Sequence, residues 1–341
     1  MPNNPTKILL SVTLIGGILV SISSNSWLGA WMGLEINLMS IIPLMSSQEN
    51  IYTSEASLKY FIIQALASST LLFLVMMKAV TSQSLPLSEE TYEYTIMIPL
   101  LLKMGAAPLH WWFPSVMEGL SWMNCLLMMT VQKAAPLMLI SYLISTSTLT
   151  LVIILMSVTV GALGGMNQTS LRKILTYSSI NHTGWMLMAT LGGNNLWVMY
   201  FMVYSLLTST MTMITKSFNI SFINQVMTTA SKTTIKLMLF TTLLSLGGLP
   251  PFVGFFPKWV VIQMMITNNL MAFTITTMVI MSLATLYYYL RMCYSSFLML
   301  HEETKWNLWI HQKFTVTEYM VILTSMSMMG LIVCTMVINI S

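Results

Sequence analysis

Glu35, Lys103, Lys133 and Lys258 are ionisable residues set deep inside long apolar stretches of the chain. Glu35 lies mid-stretch in WMGLEINLM, Lys133 lies just before Pro136, and Lys258 follows Pro257 in a Gly/Pro-rich sequence. The chemistry open to such a set is proton carriage. A lysine in water titrates near 10.4, desolvation can bring that to about 5–6, and a nearby carboxylate opposes the change. Moving the carboxylate's influence toward or away from an amine therefore loads or releases a proton. Carrying one charge through 100 mV requires about 2.3 kcal/mol, which a swing of about two pKa units supplies. Arginine does not deprotonate in proteins, and both arginines, Arg172 and Arg291, sit at the ends of apolar stretches.

An ionised residue at a bilayer centre costs about 2.5–3.5 kcal/mol, so four facing lipid would cost on the order of 10 kcal/mol. These four must face the protein interior. The alternative use is static ion pairing, for example of Glu35 with Lys103. Three lysines against one glutamate leave two amines without an anionic partner inside this set. His182, in SSINHTGW, lies midway along another stretch and is suited to a relay or to packing; both readings stay open. His110, beside Trp111 and Trp112, fits an interfacial aromatic belt. Ser, Thr, Asn and Gln along the stretches serve either to hold water or as interhelical hydrogen bonds.

The elements that position these residues follow from composition. Of 341 residues, 56% are hydrophobic and only 7% charged, against about 25% charged in soluble domains. So few charges cannot cover a water-soluble surface of this size, and the apolar runs read as membrane spans. The net charge of +4 forms no basic tract, so nucleic acid is excluded as a partner. Cys125, Cys293 and Cys334 form no CxxC pair and the histidines are scattered. Haem, iron–sulfur and zinc sites need clustered ligands, so no redox centre, metal or cofactor is expected in this chain. No cleavable presequence is visible, because Lys7 leads straight into an apolar run.

A window of about 20 residues predicts about eleven helices in an all-α polytopic membrane protein. They are Ile8–Ser23, Trp27–Met45, Leu58–Val80, Tyr94–Phe113, Leu120–Ile144, Leu149–Met166, Ile174–Leu191, Leu196–Phe218, Ile235–Ile266, Leu270–Leu298 and Val316–Ile338. The ninth contains LGGLPPFVGFFPKW and is expected to be a broken helix. The N-terminus and the even-numbered connections carry Lys7, Lys59, Arg172, Lys173, Lys216, Lys232, Lys236, Arg291, Lys305 and Lys313. The odd-numbered connections, including Ser24–Ser26 and Ser145–Thr148, carry no Lys or Arg, with Lys78 near one border. The lysine-rich face is therefore the cytoplasm-like side. GAAPLHWWFP at Gly105–Pro114 and GLPPFVGFFP at Gly248–Pro257 share Gly, Pro, Phe and Pro at identical spacing. They fall in spans of opposite direction, and inverted repeats with Gly/Pro-interrupted helices are a transporter signature.

SNSWLGAWMGLEINL, EASLKYFIIQALAS, LLLKMGAAPLHWWFP, TVQKAAPL, GGMNQTSLRKILTYSSINHTGWM and LGGLPPFVGFFPKW together resemble the chain 2 family of NADH–ubiquinone oxidoreductase, in an arthropod-like form. The similarity covers nearly the whole chain and is weakest over Ser82–Tyr92 and Glu302–Thr317. The resemblance implies an antiporter-like fold with inverted five-helix units, here about 8–144 and 149–298, followed by a C-terminal helix at 316–338. Animal members of the family lack three N-terminal helices of bacterial relatives, which agrees with about eleven spans. The resemblance implies that Glu35 and Lys103 form a coupling pair, that Lys133 is the central relay, and that Lys258 is the lysine of the second broken helix. It also implies a proton-translocating core subunit of respiratory complex I in the mitochondrial inner membrane, with the N-terminus in the matrix. Its partners would be the other membrane-arm core and accessory subunits, including an antiporter-like neighbour, and lipids such as cardiolipin. NADH, FMN, iron–sulfur clusters and ubiquinone would be handled elsewhere in the complex. The alternatives are a stand-alone cation/proton antiporter and a structural membrane-arm subunit.

Overall fold

The computed structural model describes residues 5–47, 50–81, 89–228, 233–266, 272–298, 321–322 and 324–330. Among these the architecture is helical. In chain order the helices are α1 (Pro5–Ser23), α2 (Trp27–Met45), α3 (Ile51–Thr81), α4 (Glu89–Met104), α5 (Trp112–Gly119), α6 (Trp122–Met129), α7 (Val131–Ser141), α8 (Thr148–Gly165), α9 (Leu171–Gly192), α10 (Asn194–Ser217), α11 (Ile223–Thr228), α12 (Thr233–Gly247), α13 (Phe255–Ile266) and α14 (Ala272–Leu298). The chain forms two compact units, Met1–Ile153 and Ile154–Ser341. Much of the eleventh expected span, with Lys232, Lys305, Lys313 and Cys334, lies outside the described residues.

The helices present apolar residues outward as well as inward. Leu9, Val12 and Leu19 of α1 and Leu58, Ile62, Leu66 and Phe73 of α3 are exposed, the inverse of a water-soluble surface and the form a lipid-facing helix takes. Hydroxyls along the helices mostly bond back to their own backbone, as Thr176 does to Lys173 O, Ser179 to Thr176 O and Thr183 to Ile180 O. That disposes of their polarity within one helix. Interhelical bonds fall instead to amides and aromatic donors. Asn124 donates to Leu44 O, Asn181 to Val158 O and Trp31 to Ser68 O.

Among the described residues, seven helical segments are long and apolar enough to cross a membrane, against the eleven expected. The difference has local causes. The fourth expected span is divided into α4 and α5 around Gly105–Trp111, so neither piece has the length. The ninth is divided into α12 and α13 around Gly248–Gly254, as its sequence predicts. The seventh, α9, is long enough at 22 residues, but its buried Thr, Ser, Asn and His residues lower its hydropathy. The eleventh lies largely outside the described residues. The fifth, Trp122–Ser141, still counts as one span, although its helix is interrupted at Thr130, between α6 and α7, where a continuous helix was expected. The third runs longer than expected. At 31 residues α3 is about 46 Å long, more than a hydrocarbon core of about 30 Å. Its extra first turns carry Glu55, which forms an exposed ion pair with Lys59 one turn further on.

The two broken helices end alike. Gly105 and Gly248, the first residues of the sequence repeat, both take the left-handed conformation (φ +69° and +82°), which a glycine adopts without the cost a Cβ imposes. In each case the next residue donates back over five positions: Ala106 N to Leu101 O (3.1 Å) and Leu249 N to Leu244 O (3.4 Å). This is the Schellman pattern of a helix C-terminus. Further along, Phe113 N donates to His110 O and Phe256 N to Val253 O, again at matching places in the repeat. The shared residues thus specify the same stop, turn and restart twice.

Candidate functional site

In unit 1 Lys103 occupies the last turn of α4 and is buried. A helix C-terminus carries free carbonyls and the negative end of the helix dipole, and so favours a cation. Two neighbouring side chains satisfy those carbonyls: Gln64 Nε2 donates to Lys103 O (3.2 Å) and Trp112 Nε1 to Leu102 O (3.1 Å). Lys133 lies in the first turn of α7, directly after the Thr130 interruption, and is 1% exposed. Its Nζ stands 4.9 Å from the centre of the Phe113 ring, whose face attracts a cation. Phe113 is also the ninth residue of the first repeat, so the break that seats Lys103 also supplies a surface for Lys133.

A polar cluster borders Lys103. Gln132 Nε2 donates to Asn37 Oδ1 (2.8 Å), and Tyr60 OH donates to Gln132 Oε1 (3.2 Å). A cavity of about 10 Å³ is lined by Asn37, Tyr60, Gln64, Lys103 and Gln132, together with Leu34, Leu38 and Pro136. That is room for one water molecule with several polar partners. Asn37, Gln64 and Gln132 belong to the Asn and Gln residues expected to hold water or bond between helices, but neither they nor Tyr60 stand out individually in the sequence. Their signal was present: Tyr60 and Gln64 are four apart on one helix face, and Gln132 adjoins Lys133. Gln132→Leu leaves Asn37 and Tyr60 buried without this partner, at about 1–3 kcal/mol each. The expected outcome is an assembled complex with a lower melting temperature and slower turnover, checked by thermal inactivation.

Glu35 sits on the neighbouring face of α2, half-buried, with Oε2 enclosed and, among the described residues, without a hydrogen-bond partner. It lines an apolar groove with Leu9, Met32 and Met39 rather than the small cavity. Lys103 lies within reach of its charge, but among the described residues the ion pair closer than 4 Å is Lys59–Glu55.

In unit 2 Lys258 is buried in the first turn of α13. Its side chain turns back so that Nζ donates to Gly247 O (2.9 Å), the last residue of α12. Lys258 therefore follows the break in sequence, yet its ammonium sits at the C-terminus of the preceding half-helix; Lys103 belongs to the last turn of its own half-helix, α4. Its Nζ is 5.9 Å from the centre of the Trp185 ring. One turn before Trp185 on α9, His182 Nδ1 meets Tyr200 OH at 2.8 Å, and its ring lies 5.0 Å from that of Tyr204. Tyr288 and Tyr289 of α14, with ring centres 4.6 Å apart, are also buried. These tyrosines were missed because a lone Tyr in an apolar helix reads as packing; the i, i+4 pairing of Tyr200 and Tyr204 was the available sign. His110 is buried outside this cluster, stacked on the exposed Trp111 (5.1 Å) with Nδ1 3.2 Å from Pro108 O. Among the described residues no group of three His, Cys, Asp or Glu side chains is gathered that could hold a metal ion.

Broken helices with a lysine seated at the stop, inside a polytopic helical protein, define an antiporter-like membrane fold. The chain belongs to the NADH:quinone oxidoreductase/Mrp antiporter transmembrane family, matched over residues 24–286, and residues 286–338 match the NADH dehydrogenase subunit 2 C-terminus. It is 49% identical to NADH-ubiquinone oxidoreductase chain 2 of Anopheles gambiae over 96% of both chains. It is 45% identical to that of Locusta migratoria, over 98% of this chain and 97% of the relative. The fold is shared with a chain in the structure of respiratory complex I from Thermus thermophilus with bound aureothin. That comparison has a TM-score of 0.84 at 23% identity, over 97% of this chain and 79% of the other.

Proposed function

We propose that this chain carries protons across the mitochondrial inner membrane as a core membrane-arm subunit of respiratory complex I, driven by electron transfer in other subunits. The observation that supports this reading best is the seating of Lys103 and Lys258. Both residues are buried beside a helix stop, Lys258 with its ammonium on Gly247 O and Lys103 lining a cavity of one-water size. A buried amine of this kind gains or loses its charge as water or a carboxylate approaches or withdraws. Glu35 modulates Lys103 through space, Lys133 relays, Lys258 serves the second unit, and His182 exchanges a proton with Tyr200. The chain crosses the membrane about eleven times as two inverted five-helix units and a C-terminal helix. The N-terminus and the lysine-rich connections face the matrix. Its neighbours are other membrane-arm subunits, an antiporter-like one among them, and anionic lipids such as cardiolipin.

The test is isolation of the tagged chain from its own membranes. It should co-purify with an NADH-oxidising assembly that acidifies one side of a proteoliposome; recovery as a free antiporter would overturn the reading. Tyr200→Phe separates the two roles of His182. As a relay partner, Tyr200 is expected to be worth at least threefold in pumping rate at unchanged assembly. If His182 only packs, the rate stays at the wild-type value.

A further inference from the structure

The two left-handed glycines that open the breaks each leave room for a side chain from the restart. A Cβ on Gly248 would lie 3.0 Å from both Cδ and Nζ of Lys258, so the bare backbone there is what lets this lysine fold back onto Gly247 O. A Cβ on Gly105 would lie 3.2 Å from Cβ and 3.3 Å from Cγ of Phe113. With the glycine counted as the first residue, the eleventh is Lys258 in the second break and Ser115 in the first. The restart of unit 1 therefore brings no amine of its own to the glycine turn, and an aromatic side chain takes the space. An amine from α7 stands over that ring instead, with Lys133 Nζ 4.9 Å from its centre. We propose that Phe113 is a positioning residue for proton transfer at Lys133. Its ring fixes that ammonium beside the first break, as the stem of Lys258 fixes its own ammonium beside the second.

A lysine stem is a flexible four-carbon chain, so a rigid surface that attracts the ammonium decides where it rests. The face of an aromatic ring attracts a cation within about 6 Å of its centre. The Phe113 ring is buried, at 1% exposed, and is held on two sides. Its base lies against the Gly105 turn, and it meets Trp112 edge-on with ring centres 5.4 Å apart. Trp112 in turn donates from Nε1 to Leu102 O in the last turn of α4. That turn also carries Lys103. The surface under the Lys133 amine is thus built on the helix stop to which Lys103 belongs, and a shift of that stop moves both. This role rests on reading Lys133 as a relay; the contact itself is tested without turnover.

Two measurements on the intact complex decide the matter. The first is NADH-driven proton pumping in proteoliposomes. Phe113→Met and Phe113→Leu keep an apolar side chain and lose the ring face; Phe113→Tyr keeps the face and adds a hydroxyl. Both ring-less variants should assemble and pump at no more than a third of the wild-type rate, while Phe113→Tyr retains at least half. Space filling alone predicts the opposite order, because Met brings no polar atom into the core and Tyr brings one that burial penalises. The second measurement is a double-mutant cycle on thermal dissociation of the complex, followed by native electrophoresis. The loss of heat resistance caused by Phe113→Met should be at least twice as large with Lys133 in place as in a Lys133→Met background. Wild-type pumping by an assembled ring-less variant overturns the proposal, as does a Phe113→Tyr complex that pumps no better than Phe113→Met. So does an equal loss of heat resistance in both backgrounds. Failure of both ring-less variants to assemble overturns it as well, since the ring would then serve folding and not the amine. Failure of the relay reading would show separately, as full pumping by Lys133→Met.

Discussion

Replacing Lys133 with Met is expected to leave the complex assembled and to reduce NADH-driven proton uptake into proteoliposomes at least tenfold. The side chain is 1% exposed, and Met fills a similar volume without a charge to desolvate. Exchange of a buried ionic group for an apolar one of like size is often neutral or stabilising, so the protein keeps its fold. What it loses is the amine over Phe113, on the residue that follows Gln132 of the polar cluster. Lys133→Arg sharpens the result. It keeps a cation on the ring, but guanidinium does not release its proton, so a relay fails in both variants. If charge alone were needed, for assembly or for the field at Lys103, Arg would restore pumping while Met would not. Full pumping by an assembled Met variant would end the proton-carrier account of this residue.

Gly254→Ala is expected to abolish assembly outright, for a reason of backbone geometry. A Cβ at Gly254 would collide with Ser245 O and lie 3.2 Å from a methyl of Leu207. The first of these is backbone in the last turns of α12, which cannot rotate away. The loop must lift off, and it carries the first turn of α13 and Lys258 with it. A cost above about 4–5 kcal/mol places such a change among the most damaging single substitutions. Gly16→Ala is the matched control, since the added Cβ meets nothing within 4 Å. Native electrophoresis of solubilised membranes reads both: no mature complex for Gly254→Ala, a wild-type amount for Gly16→Ala. A normal amount of Gly254→Ala complex would show that the α12 stop and the α13 restart are not held by this contact.

Those two substitutions mark the reach of sequence reasoning. The break that Gly254 stabilises was legible, because Gly and Pro act on their own backbone wherever they stand. The interruption at Thr130 was not, because Thr130 and its neighbours in TVQKAAPL are compatible with a continuous helix. The fourth span reads as one helix over Tyr94–Phe113, because GAAPLHWWFP carries fewer Gly and Pro residues than its counterpart at Gly248–Pro257.

The chain by itself determined that it is helical and membrane-embedded, where its ionisable residues are stranded, and where two helices must stop and restart. These are local consequences of hydropathy, of the cost of a charge in hydrocarbon, and of two residue types with unusual backbones. The tertiary structure alone decided the neighbours. Gln132 finds Asn37 across 95 residues and Tyr60 across 72. Lys258 turns back onto Gly247, and Glu35 faces the α1 groove rather than the cavity beside Lys103. A buried amine announces in sequence that it needs partners; which partners arrive depends on how separate helices pack, and no local pattern encodes that.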